Sequence, residues 1–217
     1  MSREQIIQRM QEEKVIAIAR GLTRNQAVST AMALYEGGIR FMEVTYDTTG
    51  KIDDAEIGST IAAIVKALDG KMCVGTGTVM SEKQVELTKQ SGGEFIISPD
   101  TNSKIIRRTV ELGMVSIPGA MTPTEAVSAH KCGADFVKIF PASILGPAYI
   151  KAVLAPLSNI RLMAVGGISE KNLADFLASG CVAAGIGGNL VNKKNIESEN
   201  YIALAENAKR TVAVAKN

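Results

Sequence analysis

Two charged residues stand where charge is costly. Lys138 interrupts the apolar run Phe136-Val-Lys-Ile-Phe-Pro141, and Glu43 interrupts Phe41-Met-Glu-Val44. Short apolar runs of this kind predict buried strands. A protonated lysine in a strand interior gives up hydration that its surroundings do not replace. It therefore either meets a buried anion or releases its proton more readily. A neutral amine at neutral pH is a nucleophile toward carbonyl carbon. Glu43 is the same oddity with the opposite charge, and the pair predicts a site in which both meet around a keto acid. The competing reading is a structural ion pair. Buried pairs often stabilise no better than apolar replacements, whereas displaced protonation equilibria concentrate at functional sites, so catalysis is the preferred reading.

Other residues fall beside them in the pattern. Arg20 ends the run Val15-Ile-Ala-Ile-Ala19, and Thr78 closes Gly75-Thr-Gly-Thr78. Two glycine pairs, Gly166-Gly167 and Gly187-Gly188 followed by Asn189, are of the kind whose backbone N–H groups bind phosphate. Glycine pairs also serve tight turns. His130 reads as a surface or dipole-compensating residue near a helix end. With one histidine and three scattered cysteines a zinc site is not expected, and the methionines read as core filler.

The elements that must hold these residues repeat one plan: an apolar strand, a loop, a capped helix and a stopping glycine. Strands are predicted at 15–19, 39–45, 72–74, 94–97, 114–117, around Lys138, at 161–165 and at 181–184. Helices are predicted over the first dozen residues, from Thr23 to Gly37, at 53–68, from Ser81 to Gly92, at 102–112, from Thr122 to Gly133, from Pro147 to Leu154, from Ser169 to Ala178, and from about Glu199 to Ala215. Capping boxes mark several starts: Ser2 with Gln5, Thr23 with Gln26, and Thr122 with Glu125. Continuous apolar strands with helical crossovers imply a parallel sheet covered on both faces. Eight such units predict a single α/β domain over 1–217, a (β/α)8 TIM barrel with an N-terminal capping helix. An open doubly wound sheet is second, disfavoured by the unit count and by the lack of a Gly-x-Gly-x-x-Gly turn after the first strand.

Barrel sites form at the C-terminal ends of strands. That is where Arg20, Glu43, Thr76, Thr78, Pro99, Lys138 and both glycine pairs fall. Alternation puts Phe136, Lys138 and Phe140 on one face, and Phe41, Glu43 and Thr45 on one face. Interior layers are filled by alternate strands, so Lys138 and Glu43, on the sixth and second, are predicted to share a layer across the lumen.

Composition bounds the partners. The chain has 217 residues, 46% of them apolar, a net charge of +2, 4% aromatics and no tryptophan. There is no basic field for nucleic acid and no cationic cluster for a membrane surface. Cys73, Cys132 and Cys181 are odd in number and far apart, which suits a reducing compartment. With no apolar stretch of membrane-spanning length and no signal-like start, the expectation is a soluble cytoplasmic domain.

The motifs together resemble the 2-keto-3-deoxy-6-phosphogluconate (KDPG) / 4-hydroxy-2-oxoglutarate (KHG) aldolase family. The matching stretches are Gly37 to Thr45, Val74 to Val79, Phe95 to Pro99, Ile117 to Gly119, Thr122 to Glu125, Phe136 to Pro141, Gly166 to Ser169 and Ile186 to Gly188. The resemblance implies a class I (Schiff-base) aldolase that uses no metal or other cofactor and assembles as a homotrimer. It implies cleavage of a 2-keto-4-hydroxy acid, 2-dehydro-3-deoxy-6-phosphogluconate and/or 4-hydroxy-2-oxoglutarate, to pyruvate and an aldehyde. Lys138 takes the place of the Schiff-base lysine, Glu43 that of the acid/base, and Thr78 lies near the pyruvate carboxylate. Where many members carry an arginine four residues after the glutamate, this chain has Asp47, and Arg20 is expected to supply the cation. Val165 stands where many members have threonine, and Asn189 where some have a phosphate-binding serine; Asp100 follows the strand-four proline. Gly166, Gly167, Gly187, Gly188 and Asn189 are expected to hold a distal phosphate. The other readings are another phosphate-binding barrel enzyme (isomerase, epimerase or decarboxylase) and a non-catalytic keto-acid binder.

Overall fold

A computed structural model describes all residues from Met1 to Asn217. In chain order the elements are α1 (Arg3–Glu13), β1 (Val15–Ala19), α2 (Arg24–Glu36), β2 (Phe41–Thr45), α3 (Asp54–Leu68), β3 (Cys73–Gly77), α4 (Glu82–Gln90), β4 (Phe95–Ile97), α5 (Ser103–Glu111), β5 (Val115–Ile117), β6 (Gly119–Ala120), α6 (Pro123–Lys131), β7 (Val137–Ile139), α7 (Ala142–Leu154), β8 (Leu162–Val165), α8 (Leu173–Ala178), β9 (Ala183–Ile186), α9 (Lys193–Glu197) and α10 (Tyr201–Lys216). All nine strands are parallel, in the order β5-β4-β3-β2-β1-β9-β8-β7-β6.

This is the predicted barrel with one position split in two. Pro118 has no N–H to give the ladder, so the fifth strand breaks there. Its first half pairs with β4 and its second with β7. The ring stays continuous because the Ser116 and Pro118 carbonyls accept from Phe136 and Lys138 N–H, at 3.3 and 2.8 Å.

Alternation along each strand separates two cores. Val15, Ala17, Met42 and Val44 face outward into the layer between strands and helices. Ile16, Phe41, Cys73, Phe95, Phe136 and Met163 face inward and fill the lower lumen. The N-terminal helix closes that end: Ile6 and Met10 of α1 pack into the lumen cluster. Its start is the predicted Ser2–Gln5 capping box. Arg3 pairs with Asp135 at 2.8 Å, and Asp135 also accepts from the Ser116 N–H. The capping boxes at Thr23 and Thr122 form as expected.

Several boundaries differ from expectation. β3 runs on to Gly77, because two glycines give up side-chain space that neighbours use: a Cβ at Gly75 would meet Phe95, and one at Gly77 would meet Glu43. Ser169 opens a turn ahead of α8 rather than the helix itself: its Oγ accepts from the Lys171 N–H at 3.3 Å, the Asn172 side chain accepts from the Ser169 N–H at 2.8 Å and donates to the Gly167 carbonyl at 3.1 Å, and regular helix begins at Leu173. Pro147 does open the main part of α7, but a single turn, Ala142 to Leu145, precedes it and is joined across Gly146 at φ +79°. A proline disfavours helical backbone in the residue before it, and glycine takes the left-handed alternative without penalty. β9 starts two residues later than predicted, and α9 was not foreseen. No helix is long and apolar enough to cross a membrane.

Candidate active site

A cavity of about 330 Å³ opens at the C-terminal ends of the strands. Every residue expected to bind or react lines it: Arg20, Glu43, Thr78, Lys138, Gly166, Gly167, Gly187, Gly188 and Asn189; Thr76, at the same end of its strand, faces away and bonds the Thr88 hydroxyl of α4 at 2.8 Å. Ile18, Pro99, Phe140, Val165, Ile168 and Gly185 complete the wall. His130 lies outside it, exposed at the end of α6.

Glu43 and Lys138 sit one step above the apolar layer, on the strands that place Phe41 and Phe136 below them. Both are buried, at 3% and 8% exposure. They are not bonded to one another, and Glu43 Oε2 is sealed from solvent without any hydrogen-bond partner. Burial pushes the Glu43 carboxyl up to about 7, against the pull of the Lys138 and Arg20 charges. Burial likewise holds the Lys138 ammonium below its ordinary value. Glu43 opposes that shift, Arg20 adds to it, and Asp100 opposes it weakly. The Lys138 Nζ lies 5.2 Å from the centre of the Phe140 ring, whose outer part is exposed at the mouth. Near neutral pH this arrangement offers a readily deprotonated amine beside a carboxyl that can take or give a proton.

Across the cavity, Arg20 Nη2 donates to Thr78 Oγ1 at 3.4 Å. Thr78 has φ +58°, a left-handed conformation that is costly for a β-branched residue. Departures of this kind cluster at functional sites. Asp47 is occupied elsewhere. Its carboxylate accepts from the N–H groups of Thr49, Lys51 and Ile52 and from the Thr49 hydroxyl, all within 3.0 Å. Those bonds hold its pKa down to about 2. Asp47 therefore staples the β2–α3 loop, and Arg20 is the cation that faces the lysine.

On the third side, Gly166 and Gly167 have φ of +95° and +73°. The backbone N–H groups of Gly167, Gly187, Gly188 and Asn189 have no partner within the protein. The Asn189 side chain donates to the Ile168 carbonyl at 2.8 Å and fastens the two glycine loops together. The loop after β9 closes as a turn, with Gly187 O accepting from Leu190 and Val191. The short helix of this region, α9, starts only at Lys193, beyond the cavity lining. Sequence reasoning missed Ile18, Ile168, Gly185 and Phe140 as walls. The inward parity of Ile18 and Phe140 was the available signal.

Comparison with known proteins agrees with the geometry. The family model for KDPG and KHG aldolase matches residues 6–206. The 2-dehydro-3-deoxy-6-phosphogalactonate aldolase of Escherichia coli (strain K12) is 39% identical over 177 residues, covering 81% of this chain and 83% of that protein. The KHG/KDPG aldolase of the same strain is 33% identical over 192 residues, 88% of this chain and 86% of that protein. A solved structure described as native KDPGal superimposes with a TM-score of 0.83 at 36% identity, covering 93% and 94% of the two chains. The KDPG aldolase of Legionella pneumophila, with pyruvate captured at low pH as a covalent carbinolamine intermediate, shares the fold with a TM-score of 0.82 at 23% identity, over 92% and 94%. With the match running almost from end to end, this chain belongs to the KDPG and KHG aldolase family and is a carbon–carbon lyase of that type.

Proposed function

We propose that the chain cleaves a 6-phosphorylated 2-keto-3-deoxy-4-hydroxy acid to pyruvate and glyceraldehyde 3-phosphate through an imine on Lys138. The observation that carries this reading is the buried, unpaired Lys138 amine facing the cavity that holds Glu43. The neutral amine adds to the C2 carbonyl, and loss of water from the carbinolamine gives an iminium ion. Glu43, through a water, takes the C4 hydroxyl proton. The C3–C4 electron pair moves into the iminium, leaving an enamine, and the aldehyde departs. Glu43 returns the proton to C3, and hydrolysis of the new iminium frees pyruvate and the amine. Arg20 and Thr78 hold the C1 carboxylate. The N–H groups of Gly167, Gly187, Gly188 and Asn189 hold the phosphate.

The likeness to a galactonate-type enzyme at 39% identity, beside 33% for a KHG/KDPG enzyme, favours the galactonate epimer. The gluconate epimer is the second reading. Hydroxyoxoglutarate, which has no phosphate, would leave the glycine loops unfilled. Assembly as a homotrimer is carried by the family resemblance alone; light scattering reads the mass.

The decisive experiment is reduction with borohydride in the presence of pyruvate, followed by peptide mapping. A reduced pyruvyl adduct on Lys138, absent in Lys138→Ala together with turnover, is expected. Absence of an adduct on any lysine rejects the imine. Pyruvate release from the two C4 epimers and from hydroxyoxoglutarate then ranks the substrates.

A further inference from the structure

Asparagine is a poor residue for a helix interior, because its side chain competes for backbone partners. α10 nevertheless carries Asn207 well inside its span. The Asn207 side chain does not bond the helix backbone. Its Nδ2 donates to the Asn189 carbonyl at 2.8 Å and to the Leu190 carbonyl at 3.3 Å, both in the loop after β9. Arg210 Nη2 donates to Asn207 Oδ1 at 3.4 Å, and Arg210 Nε pairs with Glu170 at 3.3 Å. That donor sets the amide's direction: reversed, its oxygen would face two carbonyls.

The amide completes a series of three. Asn172 donates to the Gly167 carbonyl at 3.1 Å, Asn189 to the Ile168 carbonyl at 2.8 Å, and Asn207 to the Asn189 carbonyl. The first two hold the loop after β8; Asn207 ties the loop after β9 to a helix. Asn189 lines the main cavity on one side and, with Asn207, a separate hollow of about 500 Å³ on the other. Asn207 therefore stands behind the loop, outside the main cavity. A Cβ at Gly187 or Gly188 would meet nothing within 4 Å, so neither glycine is required by packing. Both leave room for a group to approach the backbone. Glycine also has the most freedom to lose, and ordering such a loop during binding costs affinity.

We propose that Asn207 is a positioning residue for the substrate phosphate. From behind the loop it fixes the Asn189 and Leu190 carbonyls, and so holds the N–H groups of Gly187, Gly188 and Asn189 in place before the anion arrives. The role rests on the phosphate reading of the glycine loops given above. Asn207 touches neither the substrate nor the groups that react at Lys138.

The test is steady-state cleavage of the 6-phosphorylated acid by the full chain, with inorganic phosphate as inhibitor. In Asn207→Ala, KM and the phosphate inhibition constant both rise about tenfold, the effect of losing about one hydrogen bond. kcat is unchanged, and so is the pyruvate concentration that half-saturates borohydride trapping on Lys138. Asn207→Asp keeps the shape but sets a carboxylate against the two carbonyls; it shows the same rise, and it serves if the alanine variant does not fold. Loss of kcat and of pyruvate trapping in step with the rise in KM marks a merely structural residue and overturns the proposal. So do wild-type values of KM and of phosphate inhibition in both variants, when wild type itself prefers the phosphorylated acid to its unphosphorylated counterpart; the phosphate reading then stands without Asn207. A wild type with no such preference rejects the phosphate reading, and the proposal with it.

Discussion

Phe41 and Glu43 are two residues apart on one strand, and so are Phe136 and Lys138 on another, yet the two levels do opposite things. The lower level is dry and closed. Phe41 and Phe95 pack with ring centres 6.1 Å apart, and Ile6 and Met10 of α1 seal the end. The upper level puts two ionisable groups into the same lumen without a direct bond between them. The lower level stabilises the barrel; the upper level draws on that stability to hold an amine and a carboxyl away from their ordinary protonation states. The plug matters to both, because burial from below is what shifts the groups above.

Replacing Glu43 with Gln breaks the upper level and gives the largest effect. Turnover falls by roughly 10²–10⁴, the usual contribution of a positioned acid–base group. Stability moves the other way. The Glu43 pKa is raised from 4.5 to about 7, so its favourable contribution is complete below pH 4.5 and lost as pH rises through 7. Glutamine cannot ionise. Denaturant unfolding is expected to show the variant more stable than wild type by about 3 kcal/mol at pH 8, and nearly equal to it at pH 4. A wild type that is the more stable of the two at pH 8 would contradict the trade between levels.

Phe41→Ala breaks the lower level. It removes a fully buried ring and is expected to cost about 3–5 kcal/mol, with activity falling only as the folded fraction falls. A loss of turnover in the folded variant, measured at saturating substrate, would show that the levels are less separate than drawn. The smallest effect is expected at the plug. Arg3→Met removes the partly exposed partner of Asp135 and should cost about 1 kcal/mol by denaturant unfolding, with kcat unchanged.

The residues that could be read in the sequence are those that violate their surroundings. Lys138 and Glu43 are conspicuous because strand interiors rarely contain charge, and Arg20 and the glycine pairs because they follow apolar runs. The helix starts at Ser2, Thr23 and Thr122 were legible because capping is local. What escaped was set by tertiary space. Gly75 and Gly77 look like loop residues until Phe95 and Glu43 are seen to occupy their missing side chains. Ser169 looks like the first residue before α8, but a turn over residues 170–172 comes between them. Ile18 and Phe140 look like ordinary core, and only the barrel's curvature turns them into cavity wall. α9 has five residues and no periodic stripe to betray it.

The pairing of β1 with β9 sets a schedule for the newborn chain. β1 spans Val15–Ala19 and its second neighbour spans Ala183–Ile186, while α10 packs on α2. At about 5–20 residues per second of synthesis, the first strand waits on the order of ten seconds or more for that neighbour. During that interval the growing sheet has two open edges, each able to pair with another chain. The lumen is also open to water, so Lys138 and Glu43 keep the protonation of exposed side chains. Reactivity therefore arrives with ring closure, late in synthesis, and a ribosome-bound fragment ending before residue 183 is expected to carry the lysine without its chemistry.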